Sequence, residues 1–161
     1  MLKYVDTLVS FSEVPDEISL CINISNCPHN CPGCHSSYLA QDIGEELTLD
    51  KLSELIFNNR GISCVCFMGG DADPTYINRL AFSVKLISDK KLKVAWYSGN
   101  SNISEDIDLQ FFDYIKIGPY IEALGPLNSQ HSNQKMYKKS EDGFLIDISY
   151  KFHGNKTGIQ R

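Results

Sequence analysis

No apolar run among the 161 residues approaches the ~20 that a membrane-spanning helix needs, so no contact with a membrane is expected. An excess of basic charge is missing too. The net charge of −5 argues against a general electrostatic grip on nucleic acid, which wants a basic face. Lys90, Lys91 and Lys93 form one small cluster and Lys135, Lys138 and Lys139 another, and both read as solvated edges. There is no internal repeat, no low-complexity tract and no composition of the disordered kind: 42% apolar and 22% charged residues place the chain among ordinary globular proteins. No secretory leader is seen, because Met-Leu-Lys-Tyr-Val-Asp runs straight into strand-like alternation. A reducing cytoplasm is therefore expected, and a disulfide framework is not. No second C-x2-C and no separate His/Asp/Glu constellation is present, which leaves little for general acid–base work.

What remains is one domain's worth of chain, read as a single domain over residues 1–161. That length is small for a complete eight-stranded α/β barrel, so the expected fold is α/β, either a truncated barrel or an open, mostly parallel sheet with helices. Strands are expected over 4–11, 18–24, 62–68, 92–97, 113–117 and 144–150. In the second of these Ile18, Leu20, Ile22 and Ile24 alternate with Ser19, Cys21, Asn23 and Ser25, which makes one face apolar. Thr48 caps an expected helix with a stripe of Leu49, Leu52, Leu55 and Ile56. Asp73 and Pro74 open another, striped by Ile77, Leu80, Ala81, Val84 and Ile87. Cys64 and Cys66 read as core packing, and Cys21, on the face opposite the isoleucines, as a small half-buried residue that needs no function. Residues 124–139 read as a polar, turn-rich loop or docking surface, and 151–161 as a fraying tail.

The chemistry concentrates in a loop over 25–37, Asn26-Cys-Pro-His-Asn-Cys-Pro-Gly-Cys-His35, directly after the second strand. Thiols spaced C-x3-C-x2-C on a Pro/Gly-punctuated loop can converge on one inorganic centre. Two readings are open. Cys27, Cys31 and Cys34 can hold a [4Fe–4S] cluster with one iron left free for a small molecule, or they can join Cys21, His29 or His35 in a structural zinc site. Gly69-Gly70-Asp71 closes the strand over 62–68. Two glycines allow close approach of a ligand, and strand-end carbonyls with a carboxylate can receive an ammonium group, although Gly-Gly-Asp is also a common turn. Ser98-Gly99-Asn100 closes the next strand, as a ligand contact or as a plain turn.

C-x3-C-x2-C, in the form CPGCH with MGGD downstream, resembles the radical S-adenosylmethionine enzymes and, among them, the activating proteins of anaerobic ribonucleotide reductase. The similarity continues through Tyr114-Ile-Lys-Ile-Gly-Pro-Tyr-Ile-Glu122 and Ser132-Asn133-Gln134, and so covers most of the chain. The resemblance implies a radical S-adenosylmethionine core and an oxidoreductase with a [4Fe–4S] cluster on Cys27, Cys31 and Cys34. It further implies S-adenosyl-L-methionine held by Gly33, Cys34, His35, Gly69, Gly70, Asp71, Ser98 and Gly99. The implied activity is reductive cleavage of that cofactor, leading to a glycyl radical on anaerobic ribonucleotide reductase. Electrons would come from an external donor protein such as a flavodoxin. Two positions depart from the pattern. Gly33 stands where many members carry an aromatic residue, so His35 is expected to take over part of that contact; Lys116 stands where members often have Asp, and no catalytic role is assigned to it. The other readings are a radical S-adenosylmethionine enzyme of a small molecule, such as a deazapurine-forming type, and a zinc-stabilised interaction domain without catalysis.

Overall fold

Eight strands form one open, mixed α/β sheet in the computed structural model, which describes residues 1–153. They are β1 (Lys3–Ser10), β2 (Ser19–Ile24), β3 (Glu45–Glu46), β4 (Cys64–Met68), β5 (Lys93–Tyr97), β6 (Tyr114–Ile117), β7 (Lys135–Lys139) and β8 (Leu145–Asp147). Their order across the sheet is β3-β1-β2-β4-β5-β6-β7-β8. Parallel pairing is confined to the centre, β2 with β4, β4 with β5 and β5 with β6. The outer strands are antiparallel, so the expected mostly parallel sheet holds for its four middle strands and not for its flanks.

Both helices begin where their caps predict. Thr48 accepts from the Lys51 amide at the start of α1 (Leu49–Asn58), and Asp73 accepts from the Tyr76 amide at the start of α2 (Pro74–Ile87), with Pro74 in the first turn. Each central crossover adds its next strand on the same side of the last. Right-handed connections between the parallel strands then put the helices of those connections on one face of the sheet. That is where α1 and α2 lie. Leu52, Ile77, Leu80 and Val84 pack there with Leu20, Ile22, Ile24, Val65, Phe67, Val94, Trp96 and Ile115 in the larger core. The apolar face expected of β2 is this one. Its other face is buried as well, because Val14, Leu127 and Ile148 fold over Cys21, Cys64, Cys66, Ala95, Tyr114 and Met136 in a second, smaller core that has no helix.

Three expectations need correction. Ile87, placed on the buried stripe of α2, is exposed, since the helix ends there and Ser88 caps it. The loop expected over 124–139 ends in β7, where Met136 is fully buried among Lys135, Lys138 and Lys139; the polar composition hid a strand that pairs with β6. The final strand is only three residues long, with Phe144 and Ile146 exposed, and a 3-10 turn over Ser149–Phe152 follows it. The expected fraying of 151–161 falls for the most part on residues 154–161, outside the described ones; Lys151 itself pairs with Asp16 at 2.8 Å.

Gly69 and Gly70 turn the chain out of β4 with φ of 110° and 97°. A Cβ on Gly70 would sit 2.4 Å from Ile77 Cδ1, and one on Gly69 would sit 3.0 Å from the Ile24 carbonyl. Left-handed backbone and lack of room both require glycine there. Gly70→Ala is expected to lower the free energy of unfolding by about 2 kcal/mol or more, read as a lower urea midpoint.

Candidate functional site

The loops that leave the C-terminal ends of β2, β4, β5 and β6 meet at one end of the sheet, the end where parallel α/β folds carry their chemistry. The thiol loop after β2 is pinned at its base by Asn26 N to Gln41 O at 3.0 Å and Cys27 N to Leu39 O at 2.9 Å. Asn26, Asn30 and Gly33 take left-handed φ of 61°, 47° and 76°, and the Cys34 amide donates to the Cys31 carbonyl at 3.2 Å. Asn and Gly tolerate that backbone, which is how so short a loop reverses twice. Cys27, Cys31 and Cys34 are free and half-buried on it. Among the described residues no three His, Cys, Asp or Glu side chains are gathered closely enough to hold a metal ion as they stand.

Behind this loop lies Asp71, with a side chain only 4% exposed. One carboxylate oxygen accepts from His29 Nε2 at 2.9 Å and the Gly99 amide at 2.7 Å. The other accepts from Ser98 Oγ at 2.6 Å and Asn100 Nδ2 at 3.3 Å. A carboxylate can only accept, so His29 presents a protonated Nε2 to it. The turn it holds continues the link across the sheet: the Ser98 amide donates to the Lys116 carbonyl, and the Gly118 amide to the Asn100 carbonyl. Gly99 has no room for a side chain, because a Cβ would lie 2.6 Å from His29 Cδ2. At the tip of the thiol loop a Cβ on Gly33 would meet Glu122 at 3.2 Å and Tyr120 at 3.4 Å, while the His35 and Tyr120 rings lie 6.4 Å apart.

On the helix-free face, next to the loop, is a cavity of about 990 Å³. Met68, Tyr97 and Lys116 form its floor, Cys34, His35 and Ser36 one wall, and Ser10 to Glu13 with Leu127 and Phe152 the others. Tyr97 donates its hydroxyl to the Glu13 carbonyl, and Lys116 Nζ lies 5.5 Å from the centre of the Tyr97 ring. Burial holds the Lys116 ammonium below the usual lysine range, against the opposing pull of Asp71, Cys34 and Cys31.

The residues singled out from the sequence therefore divide. Cys34 and His35 line the cavity. Asp71, Ser98 and Gly99 form the hydrogen-bonded network beside it, and the carbonyls of Gly69 and Gly70 already accept from Trp96 Nε1 and the Asp73 amide. For a zinc set, Cys21 is buried in mid-strand opposite Cys66, and His29 Nε2 is taken by Asp71. Lys116 was passed over, although a lysine between the isoleucines of a buried strand, just before Gly118-Pro119, is a signal of a strand end that faces a site. Compared with family models, curated proteins and solved structures, the chain matches none of them.

Burial pushes the Cys64 thiol up to about 12 and raises Cys66 as well, so neither forms a thiolate near neutral pH. Iodoacetamide at about pH 8 is expected to label Cys27, Cys31 and Cys34 in the native chain, and Cys64 and Cys66 only after unfolding, as read by peptide mass spectrometry. A second expectation concerns Lys116. Its folded-state value lies below the ordinary 10.5, so the unfolded chain binds the extra proton between the two. The cost is full below that window and fades as pH rises through it. Lys116→Met is expected to add about 1 kcal/mol of stability at neutral pH and to flatten the rise toward alkaline pH, measured by urea titrations across pH.

Proposed function

We propose that this chain is a radical S-adenosylmethionine activase that generates a glycyl radical on a large partner, the anaerobic ribonucleotide reductase. The observation that carries this reading is the position of three free, half-exposed thiols, spaced C-x3-C-x2-C, on the loop that leaves the C-terminal end of a central parallel strand beside an open cavity. The donor set fits a [4Fe–4S] cluster in kind, number and exposure; the loop must tighten to bring the sulfurs together, as metal binding and folding are often coupled. One-electron cleavage of bound S-adenosylmethionine, to methionine and a 5′-deoxyadenosyl radical, is the chemistry that a cluster on Cys27, Cys31 and Cys34 supplies.

The chain's own residues have simpler tasks. Cys34 and His35 place the loop at the cavity wall, Tyr97 and Tyr120 offer apolar faces, and Lys116 offers a cation to an anionic group of a bound cofactor. Gly33, Gly69, Gly70, Asp71, Ser98 and Gly99 shape the end of the sheet against which that cofactor lies. No general acid or base is required of them. The helix-free face of the open sheet leaves the cavity accessible to a glycine loop of a partner, and the partner would complete the enclosure. Six free cysteines suit a reducing cytoplasm, and an external donor such as a flavodoxin would supply the electron. Among the described residues no helix is long and apolar enough to cross a membrane.

The cavity also favours a second reading, an enzyme of the same chemistry acting on a small molecule, since about 990 Å³ would hold one beside the cofactor. Anaerobic reconstitution tests both. About four iron and four sulfide per chain are expected, with dithionite-dependent release of 5′-deoxyadenosine. Replacing any of Cys27, Cys31 or Cys34 by Ser should abolish that release. A glycyl doublet by electron paramagnetic resonance on addition of the reductase supports the activase; turnover of a small substrate without any partner supports the second reading; and wild-type protein that takes up no iron sinks both.

A further inference from the structure

We propose that Asp71 is a latch for the thiol loop: acting through His29, its carboxylate fastens the loop to the ends of β4 and β5, which makes it a positioning residue rather than a contact of a bound ligand. The inference rests on the activase reading only in treating Cys27, Cys31 and Cys34 as a ligand set.

Two independent features carry it. Asp71 is almost fully buried and both its oxygens are engaged by donors at 2.6 to 3.3 Å, so its acceptor capacity is spent inside the chain. Separately, the backbone of Gly99 forms a seat for the His29 imidazole that any side chain would fill. The thiol loop is tied at its base through Asn26 and Cys27, and the link from its middle to the strand ends runs through His29. His29 lies midway between Cys27 and Cys31, so its release frees the segment that carries the first two thiols and, through the turn from Cys31 to Cys34, the third. Two left-handed residues, Asn30 and Gly33, make that segment costly to hold in one shape, which is why it needs a fixed point. His29 is the better target for substitution. Without it Asp71 keeps three donors, whereas loss of Asp71 would strand all four.

The test uses the reduced, metal-free full-length chain and site-resolved alkylation by iodoacetamide. His29→Ala is expected to speed labelling of Cys31 and Cys34 about fivefold, and Gly99→Ala, which pushes the imidazole off its seat, to act alike. His29→Gln, whose amide can still donate to Asp71, should stay within about twofold of the wild type. Unchanged rates in both alanine variants overturn the latch. So does a Gln variant as fast as the Ala one, or acceleration of buried Cys21, Cys64 and Cys66 in step with the loop thiols, which would mean global loosening. The assay needs neither iron nor S-adenosylmethionine. A chain that binds no iron would therefore sink the activase and leave the latch standing, and unchanged labelling would do the reverse.

Discussion

A carboxylate withdrawn from water must find donors, and the end of this sheet is built around the need of Asp71 for four of them. Ser98, Gly99 and Asn100 curl round it from β5, His29 reaches it from the loop after β2, and the Ser98 amide and the Asn100 carbonyl of that same turn engage Lys116 of β6 and the Gly118 that follows it. Four strand ends are joined by one side chain and its neighbours. The glycines follow from the same requirement: Gly99 makes way for His29, Gly70 for Ile77, and Gly69 turns the chain so that its carbonyl meets Trp96.

The second constraint is handedness. Because β2, β4, β5 and β6 are laid down in one direction, right-handed crossovers stack α1 and α2 on one face and leave the other to connecting segments. Val14, Leu127 and Ile148 cover part of that face, over a layer of buried thiols and Tyr114. The uncovered part, toward the strand ends, is the cavity. A face left without helices by topology thus lies beside the loop that carries three free, half-buried thiols, and Lys116 lies in the floor of the cavity there.

On the proposed reading this geometry suits a large substrate. A shallow wall of loop residues and a floor of strand-end side chains leave the site open at the side, so a partner's loop can enter and itself exclude water. The strand ends hydrogen-bonded to Asp71 are those against which a cofactor would be oriented. The loop that would tighten on metal is hydrogen-bonded at its base and middle, and a backbone bond from Cys34 to Cys31 closes its outer turn.

The local chemistry of the chain was readable in one dimension. Thr48, Asp73 and Pro74 mark helix starts because a cap satisfies amides one turn away, and the apolar run of β4 is buried on both faces, whereas β2, with one apolar face in its sequence, is buried on both only because the second core covers Cys21. The three loop thiols, likewise, are close in sequence. What folding alone decided involves partners far apart in the chain: that Asp71 belongs to His29 and Ser98, that Lys116 looks into a cavity beside Cys34, and that the lysine-rich 135–139 stretch is a strand because Met136 faces the core. The physical reason is range. Caps, turns and periodicity act within a few residues, whereas the burial of a charge or a lysine is set by whatever the sheet brings beside it.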